Sequence, residues 1–389
     1  MVGYNPTIRE NEAGKVVRVG TGEIAYEAFV PAGLPPKLEL DEELFRALSE
    51  ADRAVGELSG LGRTLSNPDL LISPFIRKEA VLSSRIEGTQ ATLTDLYVLE
   101  ARAGQRSVEP TGDAQEVFNY VAALRFGLER IEALPVSARL IRELHERLMT
   151  GVRGHERSPG EFRTSQNWIG APGSLLAGAS FVPAPPAEMN EAITAFERYV
   201  HADADLHPPL IRLGLIHVQF EMIHPFIDGN GRIGRLLTSL LLVHWNVLPL
   251  PLLYLSAFFE REREAYYAHL NDVSSSGAWR PWLLFFLRGV TEQSRDAIAR
   301  VKRLQDLQIA WRSRVTQARS SALLIRLVDD LFRSPVVTVP GVRLLLGLTY
   351  PAAKANMDKL IAAGILESFD VSGSTRLFWA PAIIRAIGD

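Results

Sequence analysis

Apolar residues recur at helical spacing over most of the chain, so the sequence predicts a mainly α-helical protein. One helix is predicted from Asp41, a plausible N-cap, with Leu44 and Leu48 on its apolar face. Residues 1–40 mix β-branched residues with Gly and Pro and are predicted to form an arm or irregular segment. Further helices are predicted over residues 73–87, 113–132, 136–149, 187–200, 208–222, 231–247 and 281–318.

The segment 160–186 has a different character from the helices around it. Glycines and prolines separate short runs such as Asn167-Trp168-Ile169. This punctuation predicts a small β-hairpin or flap inside the helical domain.

The C-terminal part shows an order of elements typical of a winged helix. From Ser320, helical patterns near 320–332, 342–346 and 351–363 precede two strand-like runs that flank residues 372–374, the predicted wing tip. The sequence therefore predicts three regions: an N-terminal arm and helical region over 1–110, a core over 111–305, and a linker helix with a winged-helix domain over 306–389.

Composition limits the classes of function. A net charge of −3 supplies no overall attraction for nucleic acid or acidic membranes, and the absence of cysteine excludes disulfides and thiolate metal sites. The first fifteen residues lack the apolar stretch of a signal peptide, so a cytoplasmic location is expected. The charge-free run 236–259 is long enough to span a bilayer, but Pro249 and Pro251 interrupt it. A buried core helix is therefore favoured over a membrane span.

The run from His224 to Arg235 is the most informative part of the sequence. Gly229 and Gly231 lie where a helix begins, so backbone amides and the positive end of the helix dipole can face a phosphate. Asp228 is a hard oxygen ligand suited to Mg²⁺, and His224 can act as a general base near neutral pH.

Two arginines complete this motif. Arg232 and Arg235 are three residues apart, hence on one helical face, and can neutralise a triphosphate. A single histidine beside a helix is more often a packed residue, and Asp-Gly-Asn-Gly alone is a common turn. The combination favours a phosphate-ester site over either structural interpretation, and the chain has no P-loop pattern.

These residues fill every position of the signature His-x-Phe-x-Asp/Glu-Gly-Asn-Gly-Arg-x-x-Arg, so the chain resembles the Fic family. The resemblance implies a helical core and an enzyme that transfers AMP from ATP to a Ser, Thr or Tyr hydroxyl of a protein. Gly231 stands where the kinase-like Doc branch has lysine, which favours nucleotidyl transfer over phosphorylation. The resemblance also implies that His224 is the base, Asp228 holds Mg²⁺, Gly229, Asn230, Gly231, Arg232 and Arg235 bind the phosphates, and Tyr267 lies near the adenine.

Glu87 is predicted in the last turn of a helix, where the dipole disfavours a carboxylate by about 0.3–1 kcal/mol, so a cation should compensate it. The segment 83–88 resembles the inhibitory motif Ser/Thr-x-x-x-Glu-Gly/Asn of Fic proteins, which implies Arg235 as the partner and a self-inhibited enzyme. The alternative is an ordinary surface pair of Glu87 with Arg85 or Lys78.

The resemblance further implies that the flap, with Trp168, Ile169 and Gly170, aligns the target by strand addition; a plain surface hairpin is the alternative. From Ser320 onward, seven basic and six acidic side chains leave a net charge of +1. Protein docking or homodimerisation by this module is therefore favoured over DNA binding. The enzyme is expected to modify itself in addition to a separate protein target. A DNA-binding regulator with a nucleotide-sensing core and removal of AMP are the other functions considered.

Overall fold

The computed structural model describes residues 10–22, 25–65, 67–102, 112–152, 156–170, 173–202, 207–317, 322–369 and 376–388. These residues form a mainly helical protein, as predicted, and they include two small antiparallel sheets. The part before residue 318 contains β1 (Gly14–Val19), β2 (Tyr26–Pro31), α1 (Glu42–Arg63), α2 (Pro68–Ile86), α3 (Leu93–Arg102), α4 (Asp113–Arg130), α5 (Ala138–Met149), α6 (Pro186–Val200), α7 (Pro209–Ile223), α8 (Asn230–His244), α9 (Ser256–Arg261), α10 (Arg263–Ser276) and α11 (Trp279–Gln317). The C-terminal module contains α12 (Ala322–Arg333), β3 (Val336–Val337), α13 (Val339–Leu346), α14 (Tyr350–Ala362), β4 (Glu367–Phe369), β5 (Leu377–Trp379) and α15 (Pro381–Ile387).

Helix α1 forms for the reasons that its sequence indicates. The Asp41 carboxylate caps it by accepting the Leu44 N–H at 2.9 Å. Its apolar face, including Leu44 and Leu58, is buried and packs along α11.

The predicted start of the second helix at Ser73-Pro74 is wrong. Helix α2 begins at Pro68, whose ring suits the first turn, and Pro74 lies inside the helix. Residues 70–77 are all buried, because α2 packs against α4, α9 and α12, and this packing offsets the cost of an interior proline. The helix ends at Ile86, one residue before the predicted end, and Glu87 is its C-cap.

Helices α7 and α8 pack against each other in the core. Almost every side chain of α7 is buried, including its polar ones, which is typical of a helix surrounded by others. Helix α8 ends at His244, before the two prolines of the charge-free run. In the described part of the chain, no helix combines the length and apolar character that a membrane crossing requires.

The N-terminal arm is not irregular, contrary to the prediction. Strands β1 and β2 pair as an antiparallel hairpin with Val16 opposite Phe29. Phe29 is buried, and its N–H donates to the Val182 carbonyl of the flap at 2.8 Å. The sequence signal was weak because the strands are short, lack strict alternation and depend on this tertiary contact.

The C-terminal module has the predicted order of three helices and a hairpin, with strand order β3-β5-β4 and an added helix α15. The predicted wing tip, residues 372–374, lies outside the described residues, so the winged-helix interpretation stays a prediction. The module packs on α2: the Lys78 ammonium group donates to the carbonyls of Ile387 and Gly388 at 3.0 and 2.6 Å. Helix α11 runs without a break through the predicted boundary at 305, and the three-region division stays a prediction.

Candidate functional site

The signature residues form a turn between α7 and α8. His224 ends α7 in the left-handed conformation, with φ of +49°, and Gly229 precedes α8 with φ of +79°. The Asn230 side chain accepts the Phe226 N–H and donates to the Phe226 carbonyl, both at 2.8 Å. Asn230 therefore holds the shape of this turn in addition to any contact with phosphate.

His224 is arranged to accept a proton. Its Nδ1 lies 3.2 Å from the Glu221 carbonyl, which can only accept, so the neutral ring carries its hydrogen on Nδ1 and leaves Nε2 free. Burial, helped by the charge of Arg163, lowers the pKa of His224 to about 4. The imidazole is consequently neutral at physiological pH, which is the form that a general base needs.

The first turn of α8 offers backbone N–H groups to an anion. Gly231 keeps this space open, because an added Cβ there would collide with the Glu87 carboxylate and lie 2.9 Å from Arg235 Nη1. The same atoms show that Glu87 and Arg235 stand directly beside the predicted phosphate site.

The two signature arginines are both buried but have different partners. Arg232 Nη1 lies 3.3 Å from the Glu116 carboxylate, and its Nη2 lies 3.6 Å from Asp228. Arg235 donates to the hydroxyl and the carbonyl of Ser83, each at 2.9 Å. Glu116 was not identified from the sequence, since it lies more than 100 residues before its partner.

The predicted contact between Glu87 and Arg235 is present. Arg235 Nη2 donates to Glu87 Oε1 at 2.7 Å, and neither Arg85 nor Lys78 replaces it. Burial alone would raise the pKa of Glu87, but the charge of Arg235 and this hydrogen bond hold that pKa below its usual value. Ser83, four residues earlier on α2, binds the same guanidinium, so both ends of the Ser-x-x-x-Glu pattern meet Arg235.

Asp228 presents a partly exposed carboxylate at the signature turn. One of its oxygens accepts the Gly229 N–H at 2.7 Å, and its side chain is 35% exposed. In the described ranges no three metal-ligating side chains cluster, so a divalent ion would need further oxygens from a substrate. One carboxylate combined with substrate phosphates is the usual protein environment of Mg²⁺, and Asp228 fits that role.

His145 and Glu221 are site residues that sequence reasoning missed. His145 stacks on Phe226 at 3.7 Å, accepts the Gly160 N–H at Nδ1 and donates from Nε2 to the Asp228 carbonyl at 3.0 Å. Burial lowers its pKa to about 4. Glu221 presents a buried carboxylate oxygen without a partner in the described chain, and burial raises its pKa to about 7. A histidine among the apolar residues of α5 was the available signal for His145.

The flap residues lie on the surface beside this turn. Trp168 and Ile169 are 40% and 37% exposed, and Ile169 bridges to Phe181 as a short antiparallel pair. A side chain at Gly170 would collide with the Ser174 hydroxyl. Arg163, also missed from the sequence, donates to the His224 carbonyl at 2.9 Å and so joins the flap to the signature turn.

Tyr267 borders the pair formed by Glu87 and Arg235. Burial and the charge of Glu87 raise its pKa to about 12, while its side chain remains 37% exposed. The neighbouring Tyr266 is buried and bonds to His217 at 2.9 Å. Tyr267, the tyrosine predicted near the adenine, is therefore the one of the two with an accessible face.

Two family models match the chain: Fic/DOC family N-terminal over residues 45–129, and Fic/DOC family over residues 135–242. The chain belongs to the Fic/DOC family. It is 28% identical over 217 residues to the protein adenylyltransferase Fic of Drosophila erecta and 29% identical over the same length to that of Drosophila yakuba. Each match covers 54% of this chain and 39% of the relative, so the shared part is well under half of those proteins.

Solved Fic structures share the fold. A Fic family protein from Desulfovibrio desulfuricans G20 is 20% identical, with a TM-score of 0.58 over 89% of this chain and 98% of that one. Fic-1 from C. elegans is 22% identical, with a TM-score of 0.52 over 67% of this chain and 74% of that one. The first match extends beyond the two family segments into most of the chain.

Proposed function

We propose that this protein is an adenylyltransferase that moves AMP from ATP to a Ser, Thr or Tyr hydroxyl of a protein, and that Glu87 inhibits it. The observation that carries the proposal is the meeting of a neutral His224, the α8 N-terminus and Arg235 at one turn. The names of the curated relatives support the same activity.

In the proposed reaction the target hydroxyl attacks the α-phosphorus of ATP. His224 Nε2 takes the hydroxyl proton, the bond from the α-phosphorus to the bridging oxygen breaks, and pyrophosphate leaves. The α8 amides and Arg232 stabilise the phosphate charge, and Tyr267 lies beside the adenine ring of ATP. Asp228 would hold Mg²⁺, which when bound neutralises phosphate charge.

Inhibition follows from competition for one guanidinium. Glu87 fills the position on Arg235 that the γ-phosphate needs, so ATP cannot seat its α-phosphate in line with the hydroxyl. The proposal includes a cytoplasmic location, self-modification and a flap that aligns the target. A winged-helix module that docks protein or forms a homodimer also belongs to it.

Transfer of label from ATP tests the proposal. The Glu87→Gly protein should pass label from the α-phosphate, and not from the γ-phosphate, to protein. His224→Ala in that background should reduce the rate by about 10²–10⁴. Label arriving from the γ-phosphate, or a rate that does not depend on His224, would refute the proposal. DNA retardation altered by both substitutions, without label transfer, would favour the regulator instead.

A further inference from the structure

A cavity of about 420 Å³ lies between the N-terminal hairpin and the flap. Arg18, Tyr26 and Glu27 line its hairpin side, and Ala177 and Ala179 line its flap side. The hairpin precedes residue 45, where the first family segment begins, so this wall of the cavity lies outside both matched segments.

On the edge of β2 that faces the cavity, the flap pairs with Phe29 through a parallel bridge to Pro183 and leaves Glu27 for a further strand. In an antiparallel pair, every second residue points its N–H and C=O away from the partner strand. Phe29 is such a residue, because its N–H donates to Val182 of the flap rather than to β1. Glu27, two residues earlier, therefore points its N–H and C=O outward as well, and it lines the cavity.

A series of hydrogen bonds connects the cavity to the signature turn between α7 and α8. The Tyr26 hydroxyl donates to the Gln166 side chain at 3.2 Å, and Gln166 donates to the Asn167 carbonyl at 2.9 Å. The Asn167 side chain donates to the Phe226 carbonyl at 2.7 Å. A chain lying in the cavity would thus meet Tyr26, which is linked through Gln166 and Asn167 to the signature turn.

We propose that this cavity is the docking groove for an extended segment of the protein that receives AMP, with its main chain paired to Glu27. The inference rests on the proposed function and adds the N-terminal hairpin to the target-binding surface. Arg18 and Glu27 are opposite in the hairpin and offset each other's charge, and the alanines leave room for a side chain. The preferred segment is therefore extended, uncharged and partly apolar.

Peptide binding without nucleotide tests the groove apart from the reaction. A phage library of random peptides would be selected on the full-length chain, and the enriched peptides measured by fluorescence anisotropy. Glu27→Pro removes the outward N–H and leaves the bonds to β1, so affinity should fall at least about tenfold. Ala177→Trp should do the same by filling the groove, and because Ala177 is exposed it tests the groove without relying on a change in the hairpin.

A matched variant completes the test. Leu175→Trp adds the same ring at an exposed residue that does not line the cavity, so it should bind as the parent does. The docking proposal would be overturned if all variants bound the peptides equally. It would also be overturned if no peptide were enriched more by the parent chain than by the Glu27→Pro variant. A dimer of the chain that Glu27→Pro dissociates would overturn it too, since a second copy would then be the occupant. Peptide binding without transfer of label would support the docking groove and would refute only the proposed reaction.

Discussion

Replacing Glu87 with glycine should activate the protein and destabilise its fold at the same time. The carboxylate accepts a 2.7 Å hydrogen bond from Arg235, whose side chain is 2% exposed, while that of Glu87 is 33% exposed. A hydrogen bond between charged groups contributes about 1.5–3 kcal/mol, and solvent at Glu87 argues for the lower part of that range. Since ATP must displace this contact, Glu87→Gly should increase transfer about 10- to 30-fold, which corresponds to about 1.5–2 kcal/mol.

The same free energy should be lost from stability without nucleotide. Arg235 keeps its two bonds to Ser83 but loses its paired charge, so the free energy of unfolding in urea should fall by about 1.5–2 kcal/mol. Initial rates with α-labelled ATP and urea midpoints measure the two effects on one preparation.

Glu100→Ala is the matched control for loss of an ion pair on α2. Glu100 pairs with Arg77 of that helix at 2.8 Å, with side chains 15% and 5% exposed, so its loss should destabilise the fold without activating transfer. Equal activation by Glu100→Ala, or unchanged transfer in Glu87→Gly, would refute the competition between Glu87 and ATP.

Three further effects follow from the site. In histidine-labelled NMR spectra His224 should titrate near pH 4; a midpoint near 6.5 would contradict its burial. His145 should weaken the fold as pH falls, because the unfolded chain takes a proton near pH 6.5 and the folded ring only near 4; its share of the loss is about 2 kcal/mol by pH 5 in urea unfolding, and His145→Asn should reduce the pH dependence by that share while the buried His217 and His224 keep theirs. Gly231→Ala should abolish ATP binding in calorimetry even without Glu87, whereas Gly56→Ala, which meets no atom within 4 Å, should not.

The candidate site could be located from sequence because its residues are concentrated in one run. His224 to Arg235 bring an imidazole, a carboxylate and two guanidinium groups together by local spacing alone, and Glu87 was identified by its unfavourable position on its own helix. Glu116 and Arg163 could not be found in this way, because their partners are distant in sequence and no local pattern marks them.

The same difference between local signals and contacts distant in sequence decided which elements of the fold could be predicted. Helix α1 was predicted because its cap and its apolar face are local signals. The early start of α2 and the hairpin β1–β2 were missed, because packing against α12 and a bond from Phe29 to the flap decide them.

Mass spectrometry of proteins modified by the Glu87→Gly protein tests the central claim most directly. After incubation with ATP, Mg²⁺ and a cell extract, a Ser, Thr or Tyr residue of a protein should carry the added mass of one AMP group. The same residue should be unmodified when His224→Ala is combined with Glu87→Gly. A mass increase of one phosphate, or an AMP adduct that persists without His224, would contradict the account.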